Sequence, residues 1–92
     1  MLIAQTPHFQ IQRFYAHNSL RNYTYVLLET ATKQACVIDP WDGEFIWQWC
    51  LNSGVILSGI LNTHQHHDHI KGNAFLLEQG VPVLTKIEMI SP

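Results

Sequence analysis

Histidines are concentrated in one short segment of the chain, residues 62–73. The segment reads NTHQHHDHIKGN and holds four of the six histidines in the sequence, at positions 64, 66, 67 and 69, together with Asp68. Imidazole nitrogens and carboxylate oxygens are ligands for Zn²⁺, Mn²⁺ and Fe²⁺. Because His64 and His66 are two residues apart, an extended backbone would place their side chains on the same side. The spacing therefore indicates a metal site.

The segment has two alternative interpretations. One is a histidine-rich loop without a function, and the second is a proton relay of histidine and aspartate that uses no metal. Neither requires so many imidazoles in so few residues, so metal ligation is favoured. The segment contains no cysteine, which argues against a structural zinc knuckle.

The remaining histidines are not expected to bind metal. His67 lies between two pairs of candidate ligands, and we expect its side chain to point away as a packing or surface residue. His8 and His17 lie in or beside the first predicted strand, and their spacing favours a purely structural role for both.

Hydrophobic periodicity predicts the elements that position this segment. Short runs rich in aromatic and β-branched residues predict three opening strands joined by polar turns, as in an antiparallel meander. Asp42 and Gly54 can cap one helix, and Asn73 and Gly80 can cap a second. The predicted strands are residues 9–17, 23–29, 35–39, 55–62 and 81–85, and the predicted helices lie within 42–54 and 73–80.

From residue 35 onward the predicted order is β-α-β-α-β, which indicates parallel strands with right-handed crossovers. The fold class is therefore α/β with an antiparallel opening. The histidine segment begins where the predicted strand 55–62 ends. In α/β sheets, ligand sites form at the carboxyl ends of strands, so this is a suitable place for a metal site.

Composition limits the other classes of function. The 92 residues are enough for one domain, residues 1–92, and are 47% hydrophobic with a net charge of -2. There is no basic stripe to indicate nucleic acid binding and no apolar run long enough to predict a membrane span. Cys36 and Cys50 have apolar neighbours in sequence, which predicts buried free thiols in a reducing compartment. We therefore expect a cytoplasmic protein.

The sequence T-H-x-H-x-D-H after an apolar strand resembles the signature of the metallo-β-lactamase superfamily. Within it, RNYTYVL, ACVIDP and HDHIKGN resemble three segments of glyoxalase II, the hydroxyacylglutathione hydrolases, and the likeness extends over about residues 20–84. It implies the first half of an αββα sandwich, in which one sheet face would meet a partner sheet. Exposure of that apolar face implies possible self-association.

The resemblance also implies roles for single residues. His64 and His66 would bind a first metal, and Asp68 and His69 a second, with Asp68 the candidate catalytic residue. The cofactor would be Zn²⁺, two per complete site, with Fe or Mn possible. A metal-bound hydroxide would hydrolyse a glutathione thioester such as S-D-lactoylglutathione. Asp39 would support the metal ligands from behind, although it could also merely begin the turn before Pro40.

The sequence departs from the family in two places. Trp41 follows Asp39-Pro40 where the family has glycine, so a different turn with a packed aromatic side chain is expected. After His69 the sequence contains no further His or Asp, so the remaining family ligands are missing and we expect little or no turnover. The alternatives are another enzyme of this fold, such as a persulfide dioxygenase with one iron or a lactonase, and a non-catalytic metal-binding module.

Overall fold

The computed structural model describes residues 1–15, 23–63 and 67–84, and for residues 67–72 it describes the backbone alone. Five strands and two helices lie in these ranges. They are β1 (Leu2–Gln5), β2 (Phe9–Tyr15), β3 (Tyr23–Glu29), β4 (Gln34–Ile38), α1 (Gly43–Ser53), β5 (Ile56–Leu61) and α2 (His67–Glu78). The mixed α/β class predicted from the sequence is confirmed.

The five strands form one sheet in the order β1-β2-β3-β4-β5. Strands β1 to β4 pair antiparallel with their sequence neighbours, which confirms the predicted opening meander. Strand β1 is not among the strands predicted from the sequence, and its apolar residues are exposed at the sheet edge. Strand β2 ends at Tyr15, and the last two residues of the predicted strand, 16 and 17, lie outside the described ranges.

The parallel part of the sheet is shorter than predicted. Strand β5 pairs parallel to β4, as expected for two strands connected through a helix. Residues 81–84 contribute a single parallel bridge between Val83 and Ile60, and no longer strand is formed among them. The Ile60 amide donates to the Pro82 carbonyl and the Leu84 amide donates to the Ile60 carbonyl. The predicted direction of this last segment is therefore right. Among residues 81–84 it is shorter than the predicted strand, whose residue 85 lies outside the described ranges.

Both helices lie on the same face of the sheet. The core cluster combines Val26, Val37 and Ile60 from the strands with Ile46 of α1 and Leu76 of α2, all almost completely buried. Alternation along the strands places the neighbouring side chains on the opposite face. Its half-buried apolar side chains are Ile11, Tyr25, Leu27, Ile38 and Leu61, and the register places Arg13 and the fully buried Cys36 on the same face.

Helix α1 has the ends predicted from the sequence. The Asp42 side chain accepts a hydrogen bond of 3.0 Å from the Phe45 amide. Gly54 ends the helix with φ 69°, a left-handed conformation in which glycine has no steric cost. The buried face of α1 consists of Gly43, Ile46 and Cys50, while Phe45 is exposed apart from its ring contact with Phe14.

Helix α2 begins earlier than predicted. It starts at His67 and ends at Glu78, so Asn73 lies inside the helix and does not cap it. Gly72, expected to lie in the loop before the helix, is also helical. Glycine inside a helix costs only about 1 kcal/mol relative to alanine, which packing of the fully buried Leu76 against the core can offset.

The two cysteines are buried free thiols, as predicted. Burial raises the pKa of both the Cys36 and the Cys50 thiol to about 11. Within the described ranges, neither helix is long and apolar enough to cross a membrane.

Candidate metal centre

The carboxyl ends of β4 and β5 lie side by side because the two strands are parallel neighbours. Asp39 follows β4, and Thr63 follows β5 after Asn62. The Asp39 carboxylate accepts a hydrogen bond of 2.7 Å from the Thr63 amide and one of 2.5 Å from the Thr63 hydroxyl. The residue that precedes His64 is therefore fixed to the neighbouring strand by a buried carboxylate.

The backbone of Asp39 is also held firmly. Its amide donates to the Leu61 carbonyl at 2.8 Å, and its carbonyl accepts from the Thr24 hydroxyl at 2.8 Å. Its φ of 54° lies in the left-handed region, which Asp and Asn adopt more readily than most residues. Asp39 thus both forms the turn before Pro40 and bonds to the start of the histidine segment. Its role toward a metal stays a prediction.

The structure places the predicted ligands only in part. His64 and His66 lie outside the described ranges. Asp68 and His69 lie in the first turn of α2, where the backbone alone is described. The structure therefore does not test whether these four side chains meet.

The structure describes the other histidines to different extents. His67 is the first residue of α2, but its side chain is not described, so its predicted orientation is untested. His8 is exposed just before β2, and its predicted structural role stays a prediction; His17 is outside the described ranges. Among the side chains that the structure describes, no group of three His, Cys, Asp or Glu comes together.

The first and last residues of the histidine segment are asparagines with buried oxygen atoms. The Oδ1 atoms of Asn62 and Asn73 are buried and accept no hydrogen bond from the part of the chain that the structure describes. Histidines that ligate a metal usually donate their second ring N–H to an oxygen acceptor, and an amide oxygen can fill that role. Together with the imidazole and carboxylate groups in the sequence, these free acceptors make the residues present suitable for a divalent cation. Neither asparagine is predicted at the site from the sequence, in which Asn73 has the pattern of a helix cap.

Trp41 follows the Asp39-Pro40 turn and is half-buried, as expected for a packed aromatic residue. The left-handed backbone needed by this turn falls on Asp39 instead of Trp41, so the tryptophan is accommodated without positive φ. Trp41 lines a cavity of about 480 Å³ together with Phe14, Thr24 and Phe45, and a second one of about 330 Å³ with Phe75.

Comparison with known proteins gives the sequence relatives of the chain. No protein-family model matches it. The hydroxyacylglutathione hydrolase of Gloeobacter violaceus is 42% identical over 62 residues, which are 66% of this chain and 25% of that protein. The hydroxyacylglutathione hydrolase of Francisella tularensis subsp. novicida is 41% identical over 68 residues, 74% of this chain and 26% of that protein. The chain thus spans about a quarter of the length of these relatives.

Solved structures give the fold. The BLEG-1 B3 metallo-β-lactamase superposes with a TM-score of 0.69 and 27% identity, covering 79% of this chain and 35% of that one. ETHE1 from Myxococcus xanthus gives a TM-score of 0.66 at 27% identity, covering 85% of this chain and 36% of its own. This chain is therefore a partial metallo-β-lactamase-fold domain, similar in sequence to the hydroxyacylglutathione hydrolases.

Proposed function

We propose that the chain supplies the metal-binding segment of a hydrolase that cleaves glutathione thioesters, S-D-lactoylglutathione or a close relative. The observation that supports this most is identity of 42% over 62 residues to a hydroxyacylglutathione hydrolase. Two solved structures of similar fold, the BLEG-1 metallo-β-lactamase and ETHE1, are 27% identical in sequence to this chain. Fold alone does not choose among the hydrolases that share it, so the proposed substrate class is supported by the sequence likeness.

His64, His66, Asp68 and His69 would hold the metal, which we expect to be Zn²⁺, with iron or manganese as alternatives. When bound, such cations lower the pKa of a coordinated water and polarise the carbonyl oxygen of a substrate. Asp68 is the candidate catalytic residue of the four. All four positions follow Thr63 within six residues, so their common anchor is the bond between Thr63 and Asp39.

Residues of this chain would contribute chiefly by positioning. Asp39 fixes the direction in which the backbone leaves β5, because it binds both the amide and the hydroxyl of Thr63. Asn62 and Asn73 offer acceptor oxygens to imidazole N–H groups and would fix the orientation of those rings. A thiolate is a good leaving group, so hydrolysis of a thioester does not require a strong protein acid.

Cobalt titration of the purified chain tests the metal site. We expect Co²⁺ to bind and to give an absorption spectrum that the double variant His64→Ala, His66→Ala loses. The control is His8→Ala, an exposed histidine distant from the segment in sequence, which should leave binding unchanged. Equal Co²⁺ affinity in the double variant and the parent chain would contradict the assignment of these ligands.

Hydrolysis of S-D-lactoylglutathione by the Zn²⁺-loaded chain tests the reaction. We expect a slow rate at most, and one that disappears in the double variant. Rapid turnover would overturn the expectation of an incomplete site. A rate of the same size in the double variant would contradict the proposed metal-dependent hydrolysis. A lactone substrate, assayed in parallel, tests the alternative enzyme class.

A further inference from the structure

Thr24 connects β3 to the turn that carries Asp39. Its side chain is buried, with 3% of its surface exposed. The Thr24 hydroxyl donates to the Asp39 carbonyl at 2.8 Å and accepts from the Trp41 amide at 3.1 Å. One hydroxyl therefore bonds to the backbone on both sides of Pro40, and both of its hydrogen-bonding functions are used.

The turn held in this way is an unfavourable one. Asp39 has φ 54°, although a residue before proline normally adopts an extended backbone. Pro40 is fully buried against the core, so the turn has little room to shift. Backbone in such a conformation persists where its surroundings determine it. The two hydrogen bonds of the Thr24 hydroxyl help to hold residue 39 in this conformation.

The direction of the Asp39 carboxylate depends on this turn. At positive φ the side chain leaves the backbone toward Thr63, where it makes its two hydrogen bonds. Relaxation of residue 39 to an extended backbone would rotate the carboxylate away from Thr63. A change at Thr24 should therefore reach Thr63 through Asp39, although Thr24 is 39 positions earlier in the sequence.

We propose that Thr24 is a positioning residue for the metal-binding segment, acting through the Asp39 turn on Thr63. This inference rests on the proposed function as far as the metal is concerned. The hydrogen-bond chain from Thr24 to Thr63 can be tested without metal.

Three variants separate positioning from stability. Thr24→Val has nearly the same shape and removes both hydrogen bonds, and Thr24→Ser keeps the hydroxyl. The matched control is Thr30→Val, which removes a threonine hydroxyl just beyond the opposite end of β3, where it donates to the carbonyls of Pro7 and His8. Thermal unfolding of all three gives the loss of stability alone.

Amide hydrogen exchange of the metal-free chain is the decisive measurement. We expect the Thr63 amide to exchange at least about tenfold faster in Thr24→Val, relative to the amide of the buried residue Val37, and at parental rates in Thr24→Ser and Thr30→Val. Co²⁺ affinity should fall about tenfold in Thr24→Val and remain unchanged in the other two variants.

Unchanged relative exchange of Thr63 in Thr24→Val would overturn the proposal, whatever the unfolding temperature. If the parent chain bound no Co²⁺, the metal centre of the proposed function would fail, while Thr63 exchange would still decide on the role of Thr24. Accelerated exchange in Thr30→Val of the same size would show a general effect of stability and would also overturn it.

Discussion

Asp39 combines a strained backbone with a buried carboxylate, and its contacts explain why both persist. Its amide and side chain bind Leu61 and Thr63 at the end of β5, and its carbonyl binds Thr24 of β3. A buried carboxylate without such partners would be strongly disfavoured. The residue therefore stabilises the sheet and at the same time directs the start of the histidine segment.

The substitution Asp39→Asn tests this stabilising role. Asn tolerates the positive φ of residue 39 as Asp does, so the change removes the charge and leaves the backbone preference. Hydrogen bonds to charged groups contribute about 1.5–3 kcal/mol, and we expect the free energy of unfolding in urea to fall by about 2 kcal/mol. The control is Asp42→Asn at the exposed cap of α1, where Asn caps as well as Asp. Equal stability of Asp39→Asn and the parent chain would contradict the stabilising role of the carboxylate.

The buried thiols predict how stability changes at high pH. Burial raises the pKa of Cys36 and Cys50 from 9.0 to about 11. Between these values the thiols ionise in the unfolded chain and stay protonated in the folded one, so the free energy of unfolding should fall as pH rises from about 9 to 11. Below about pH 9 both states are protonated, and the thiols add no pH dependence.

Urea unfolding at pH 8, 9.5 and 11 measures this effect. The double variant Cys36→Ala, Cys50→Ala retains all other titrating groups, so its stability should fall less steeply over the same range. Parallel slopes for the two proteins would show that the thiols do not carry the pH dependence.

At the scale of single residues, the sequence identifies residue types and their spacing. It indicated Asp39 and the 64–69 cluster, because both are short-range patterns beside a predicted strand end. It did not indicate Thr24, since the partners of its hydroxyl lie 15 and 17 residues away. Alternation placed Thr24 on one face of β3, but a hydrogen bond to another strand's turn depends on the packed sheet.

Helix α1 ends at a glycine whose conformation can be tested. Gly54 has φ 69°, and a Cβ there would meet no atom within 4 Å, so a substitution affects the backbone alone. We expect Gly54→Ala to lower the free energy of unfolding by about 1 kcal/mol, because the left-handed conformation is costly for residues with a Cβ. Gly54→Asn should cost less, since Asn tolerates this region better. Urea unfolding measures both variants. If Gly54→Ala were as stable as the parent chain, residue 54 would not have the left-handed conformation that ends α1.

Elements were predicted well where periodicity and caps agreed, and poorly where they conflicted. Asp42 and Gly54 both bracket an amphipathic run, and α1 has those ends. In α2, Asn73 looks like a helix cap, yet the helix begins six residues before it. Buried packing of Leu76 and Asn73 outweighs the local preference, which a sequence pattern cannot show.

At the scale of the whole molecule, the two sheet faces differ in what covers them. In the described part of the chain both helices pack on the face of Val26, Val37 and Ile60. The side chains of the second face are mostly apolar and half-buried, and Arg13 lies among them, 4.8 Å from the centre of the Tyr23 ring. A large contiguous apolar patch on a protein surface usually marks an interaction site.

We propose self-association through the second face, which sedimentation velocity can measure. The average mass should rise with concentration, and Ile11→Lys should weaken that rise several-fold, because a charge would be buried against apolar residues. The control is Leu51→Lys, which adds the same charge at a 58% exposed position on α1. A chain that stays monomeric at all accessible concentrations, or equal weakening by both variants, would contradict the proposal.

The same experiment with a chelator distinguishes the two remaining classes of protein. In a non-catalytic module the metal would organise the dimer, so removal of metal should dissociate it. In part of a larger enzyme the second face would associate through its apolar side chains and not through the metal. Association should then persist without metal and grow beyond a dimer. Because the sequence likeness to hydroxyacylglutathione hydrolases favours the hydrolase over the binding module, we expect association to persist when the metal is removed.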